Sequence, residues 1–181
     1  MLIKTVFSGF GGQGVLMMGY ILALSAMRDG MQVTYLPAYG AEVRGGTANC
    51  TVSISDEEIA SPVASFPDNV VVLNKPSLIR YEGQLKSKGT LLLNSDLVDV
   101  DPEREDIEVF KIPANNIARK LRSERTVNMV MLGAFAEATK IITIDSLVRG
   151  LGEAIRTKSA RQMEINRRAL ELGSRYVVEG V

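Results

Sequence analysis

The stretch that most limits what this chain can fold into is Ser8-Gly9-Phe10-Gly11-Gly12-Gln13-Gly14. An apolar run, Leu2-Ile3 and Val6-Phe7, leads into it, and a helical apolar pattern begins directly after it at Val15. Strand, glycine-rich turn and helix N-terminus, in that order, open an α/β fold. The first backbone N–H groups of a helix have no partner inside it, and the helix dipole is positive there. Such a turn suits an anion, and glycines let the backbone approach a phosphate with no Cβ in the way. The spacing Gly9-x-Gly11-x-x-Gly14 fits the dinucleotide fingerprint. On its own it equally describes a turn whose glycines serve only helix–strand packing.

From Val15 to Met27 the chain is apolar on nearly every face. That predicts a helix buried between the sheet and another element, with its methionines in the core. Asp29-Gly30 closes it in the usual way, and Met31 to Pro37 reads as a second strand completing a βαβ unit. A dinucleotide site places an acid roughly 20 residues beyond the glycines, at the end of that strand. Here the strand ends Tyr35-Leu36-Pro37-Ala38, without an acid. This counts against NAD and leaves other phosphate-bearing ligands open. Next comes a second glycine-rich loop, in which Arg44, with Gly45, Gly46 and Thr47, could clamp an anion bidentately. The plainer alternative is a surface arginine paired locally with Glu42.

Thr47 to Ser55 alternates like a half-buried strand. Asn69–Asn74 and Thr90–Asn94 are near-continuous apolar runs, the mark of strands buried on both faces, and Ile107–Ile112 is the last strand expected. Helices are expected over Lys75–Leu85, Ala114–Leu121, Thr126–Ala138, from Asp145 with Asp145-Ser146 as cap, and over Ser159–Val178. Asp96 to Asp106 reads as a solvated acidic loop. Asn128, polar within an apolar helix, reads as a buried cap or a hydrogen bond to a loop. The expectation is one domain over residues 1–181, a three-layer α/β/α sandwich with a mostly parallel sheet and a Rossmann-like start.

Lys plus Arg and Asp plus Glu number 21 each, so no bulk field draws the chain to nucleic acid or to a membrane. No apolar run approaches the length of a membrane span and the N-terminus lacks a signal-peptide core, which reads as cytoplasmic. The chain has no His, the commonest general base and transition-metal ligand. Its one Cys, Cys50, rules out a disulfide or a four-cysteine cluster within the chain and reads as a small buried hydrophobe. No catalytic residue and no metal-ligand set stands out, so any redox electrons would travel through another chain.

Three segments, Ser8–Val15, Thr34–Thr47 and Asn128–Gly133, resemble the gamma subunit of 2-oxoacid:ferredoxin oxidoreductases, of the 2-oxoglutarate or 2-oxoisovalerate type. The likeness covers most of the chain, including length and element order. It implies a subunit rather than a complete enzyme, one that is inactive alone. The family decarboxylates a 2-oxo acid oxidatively on thiamine diphosphate, passes electrons through iron–sulfur clusters to ferredoxin, and transfers the acyl group to coenzyme A. The resemblance therefore implies alpha and beta partners, and a delta ferredoxin-like one in some complexes, that hold the thiamine diphosphate and the clusters. It also implies that Gly9, Gly11, Gly12, Gln13 and Gly14, with Arg44, Gly45, Gly46 and Thr47, bind coenzyme A. A stand-alone nucleotide-binding reductase and a structural or regulatory subunit that binds no ligand are the rival expectations.

Overall fold

The computed structural model describes residues 1–39, 47–155 and 159–180. Six strands form one sheet: β1 (Leu2–Phe10), β2 (Gln32–Tyr39), β3 (Thr47–Ser55), β4 (Asn69–Val72), β5 (Thr90–Asn94) and β6 (Glu108–Ile112). Their order is β2-β3-β1-β4-β5-β6. β1, β4, β5 and β6 run parallel, and β3 alone is antiparallel to both its neighbours, β1 and β2. The mostly parallel sheet is thus as expected. The βαβ unit departs from its usual form, because β3 returns between β1 and β2 and the two strands of the unit do not touch.

Alternation along the strands sorts their side chains into two cores. Val6, Val70, Val72, Leu91 and Leu93 face one side, where α2 (Lys75–Tyr81) brings Leu78 and Tyr81. Phe7, Val71, Leu73 and Leu92 face the other, against α1 (Val15–Arg28), α4 (Val127–Thr139), α5 (Ile144–Ala154) and α6 (Ala160–Glu179). The Phe7 and Phe135 rings meet edge to face at 5.5 Å and tie β1 to α4. α1 lies between the sheet and α5, as its sequence predicts. Met18 is fully buried in it, whereas Met17 and Met27 are exposed rather than in the core.

Two local expectations are corrected. The cap of α5 is Thr143, whose side chain accepts from the Ser146 N–H at 3.1 Å, so Asp145 falls in the first turn. The acidic loop is anchored rather than simply solvated. Arg104 donates to the Glu82 carbonyl at 3.2 Å, to the Leu85 carbonyl, and through Nη2 to Asp106 at 2.6 Å. The Arg104 hydrogen bond holds the Asp106 carboxyl down at about 2. Asp96 accepts from the Asn116 N–H at 2.8 Å at the start of α3 (Ala114–Lys120).

Candidate functional site

The carboxyl ends of β1, β5 and β6 open on one side of the sheet, the usual place for a ligand in an open α/β fold. After β1 the chain turns tightly, with the Gln13 N–H donating to the Phe10 carbonyl at 3.2 Å. Gly12 (φ 93°) and Gly14 (φ 78°) take left-handed conformations that a side chain would strain. Gly14 is the N-cap of α1 and supplies no side-chain cap, so the first-turn N–H groups of α1 are left to other partners.

These residues form one wall of a crevice of about 420 Å³ lined by Gly12, Gln13, Gly14, Leu97, Asn115, Glu124, Arg125, Val127 and Asn128. A 3-10 turn, Glu124–Thr126, leads into α4 and carries both charged groups of the lining. Thr126 is buried and donates to the Ser123 carbonyl at 2.7 Å, which fixes that turn. Arg125 has no ion-pair partner among the described residues. Asn115 is held at the α3 end by Asn94, which donates to it at 2.7 Å.

The predicted residues separate in space. Gly12 and Gly14 line the crevice and Gly11 is exposed beside them. Gly9 is buried, and a Cβ there would lie 2.6 Å from Gln13 Oε1 and 2.8 Å from Val15 Cγ2, so close packing is its role. Gln13 reaches the lining, but its amide is engaged within the chain. Its oxygen accepts from the Phe10 N–H at 2.6 Å and its nitrogen donates to the Leu73 carbonyl at 3.4 Å. The side chain therefore braces the turn against β4. Thr47 opens β3 opposite Phe10, outside the crevice lining. Arg44, Gly45 and Gly46, like Glu42, lie outside the described residues.

Asn128 behaves as its sequence context predicts: it is buried, and its Nδ2 reaches the Gly14 carbonyl at 3.5 Å across 114 positions of chain. Asn115, Glu124 and Arg125 were not legible as site residues, since nothing local marks them. The end of β2, where a ribose-binding acid would stand, is separated from β1 by the whole of β3. That sets it about 10 Å from β1, one strand spacing of about 5 Å further out than in a dinucleotide fold. Cys50 is fully buried on β3, and burial pushes its thiol up to about 12, so it is inert. The crevice therefore offers backbone N–H groups, two asparagines, one cation and one carboxylate. It can bind and orient an anionic ligand, and among the described residues its lining has no hydroxyl, thiol or amine side chain.

Residues 4–176 match the family described as pyruvate ferredoxin/flavodoxin oxidoreductase. The chain is similar to the ketoisovalerate oxidoreductase subunit VorA of Methanothermobacter marburgensis, at 37% identity over 175 residues. That match takes in 95% of the chain and 36% of the relative, so the chain spans little more than a third of that relative's length. It is 36% identical to the 2-oxoglutarate synthase subunit KorC of the same organism, over 96% of the chain and 95% of KorC. The crystal structure of the gamma subunit of a keto/oxoacid ferredoxin oxidoreductase from Geobacter sulfurreducens superposes with a TM-score of 0.87. Identity there is 28%, covering 98% of this chain and 97% of that one.

Proposed function

The chain belongs to the pyruvate ferredoxin/flavodoxin oxidoreductase family, and from that premise we propose that it is the gamma component of a 2-oxoacid:ferredoxin oxidoreductase whose crevice holds the diphosphate of coenzyme A. The observation that carries this reading is the left-handed Gly12–Gly14 turn at the α1 N-terminus, facing across the crevice an Arg125 that has no ion-pair partner among the described residues. The Gly12 and Gly14 amides and the first turn of α1 would donate to phosphate oxygens, and Arg125 would add a charged contact. Gly11 would let the ligand pass close to the backbone. Arg44, with Gly45, Gly46 and Thr47, would contribute from the second loop.

Binding the diphosphate fixes the position of the thiol at the far end of the molecule. A reactant held in place meets its partner without the entropy loss of a bimolecular encounter. Thiamine diphosphate and iron–sulfur clusters would supply decarboxylation and electron transfer, and one buried cysteine cannot ligate a cluster. They belong on alpha and beta subunits, with a delta ferredoxin-like chain where one exists, and ferredoxin takes the electrons. No described helix is long and apolar enough to cross a membrane, and the complex is proposed to work in the cytoplasm.

Calorimetric titration of the assembled complex with coenzyme A tests the reading. Saturable binding is expected, weakened by rising salt and weakened about tenfold by Arg125→Ala, the loss of one charge-assisted contact. No binding of coenzyme A, or tighter binding of NADH, would overturn it.

A further inference from the structure

A sheet in a three-layer sandwich normally has helices on both faces, and here one region has no closely packed helix among the described residues. α1 packs on one face of β2 and β3. On the other face no described helix packs against either strand as α1 does; Ser53 and Ser55 are buried there, and Leu36 and Ala38 toward the carboxyl end of β2 are exposed. It presents Thr34, Leu36 and Ala38 of β2, Asn49 and Thr51 of β3, and Phe10 at the end of β1, aligned by the strand register. Leu36 is 40% and Phe10 38% exposed. None of the six side chains is charged, in a chain that is 23% charged overall.

The edge is open as well. β2 is the outer strand of the order, and its sequence Gln-Val-Thr-Tyr-Leu-Pro-Ala-Tyr has no charged residue. Exposed edge strands usually carry lysines or other charges that prevent pairing with another chain. Among the residues of β2, Pro37 is the only guard. A flat, neutral face with apolar anchors beside an undefended edge has the composition of an interface core.

We propose that this face of β2 and β3 seats the polypeptide that carries the catalytic groups of the complex, an inference that rests on the function proposed above. Two observations select that occupant over a second copy of this chain. Among the described residues the crevice lining has no hydroxyl, thiol or amine nucleophile, so the reacting groups must be brought to it, and Phe10 joins the face to the glycine-rich turn: its N–H is bonded to Gln13 Oε1 at 2.6 Å. A chain seated on the face thus abuts the crevice. The ketoisovalerate relative, of which this domain matches 36%, carries the rest of its length joined to the same domain. That relative keeps a much larger body next to this one.

The test is co-expression of the chain with its alpha- and beta-type partners, followed by affinity purification of the assembled complex. Leu36→Glu and Ala38→Arg, both at exposed positions, are expected to reduce the recovered partner chains about tenfold, the loss of one interface anchor. The thermal midpoint of the isolated chain should stay unchanged. Ile79→Glu on α2, exposed on the far side of β1, should leave recovery as in the wild type. If the wild-type chain recovers its partners and both variants recover them equally well, the docking face is wrong while the subunit reading stands. If the wild-type chain recovers no partner, the subunit reading itself fails. If Leu36→Glu instead converts a dimer of the isolated chain to monomer, the face belongs to a second copy and the proposal is overturned.

Discussion

At the scale of single residues, the glycines of the turn divide into two kinds. Gly9 is glycine because strand, turn and helix close on one another there, and Gly12 because its backbone is left-handed with open space around it. Gly14 meets both demands: its φ is 78°, and a Cβ would stand 2.3 Å from Asn128 Nδ2. Gly14→Ala should lose about 1–2 kcal/mol from the left-handed backbone, and more from displacing Asn128. In a double-mutant cycle with Asn128→Ala, denaturant unfolding should show a coupling of at least about 1 kcal/mol. Additive effects would mean that Asn128 does not support the turn. The amide of Gln13 points the same way, since a side chain that reads as a ligand donor in sequence is used to hold β1 against β4.

At the scale of elements, the tightest junction is between α4 and α6, which approach through reciprocal glycines. A Cβ on Gly133 would lie 2.0 Å from the Leu170 carbonyl oxygen, and one on Gly173 1.9 Å from that of Val130. Backbone cannot yield as a side-chain tip can. Gly173→Ala is expected to cost about 1–3 kcal/mol by overpacking, a fall of roughly 2–4 °C in Tm per kcal/mol for a chain of this size. Gly152→Ala on α5 is the contrasting case, because its nearest neighbour is Met163 Cε at 3.9 Å. It should be neutral or stabilise by up to about 1 kcal/mol, since glycine is the weaker helix former. Differential scanning calorimetry on the two variants would separate them. Equal effects would show that the α4–α6 approach is looser than it looks. The approach matters for the site, because α4 carries Asn128 and follows the turn bearing Arg125.

At the scale of the whole molecule, charge sets how stability responds to pH. Asp106, Asp56 and Glu137 are held below the ordinary carboxylate range by hydrogen bonds from Arg104, the N-terminal ammonium and Lys140. A depressed carboxylate contributes stability above its unfolded value and loses it as pH falls through its folded value. For Asp106 that window runs from 3.8 down to about 2. Cys50 has the opposite sign: its thiol, raised from 9.0 to about 12 by burial, contributes below 9.0 and loses that contribution as pH rises toward about 12. No histidine titrates between. Urea unfolding should therefore show a plateau near neutrality with falling limbs on both sides. Asp106→Asn should shallow the acid limb and Cys50→Ala the alkaline one. A stability maximum with a steep slope between about pH 6 and 7 would contradict this, because histidine is the side chain that ordinarily titrates there.

Nearly every element was legible in the sequence, because periodicity and local stop signals act within a few residues. The glycine-rich turn, the doubly buried runs within Asn69–Asn74 and at Thr90–Asn94, and the helix starts at Lys75 and near Ser159 all depend on neighbours in the chain. Strand order could not be read, since the sheet sets β3 between β1 and β2 through hydrogen bonds that leave no local trace. The other wall of the crevice was hidden for the same reason: Asn115, Glu124 and Arg125 join Gly14 in one lining only after a hundred or more intervening residues have folded. By itself the sequence determined the anion-ready turn and the elements around it. What faces that turn, and which face of the sheet stays open, was decided by tertiary packing, because contacts between distant segments depend on topology rather than on neighbouring residues.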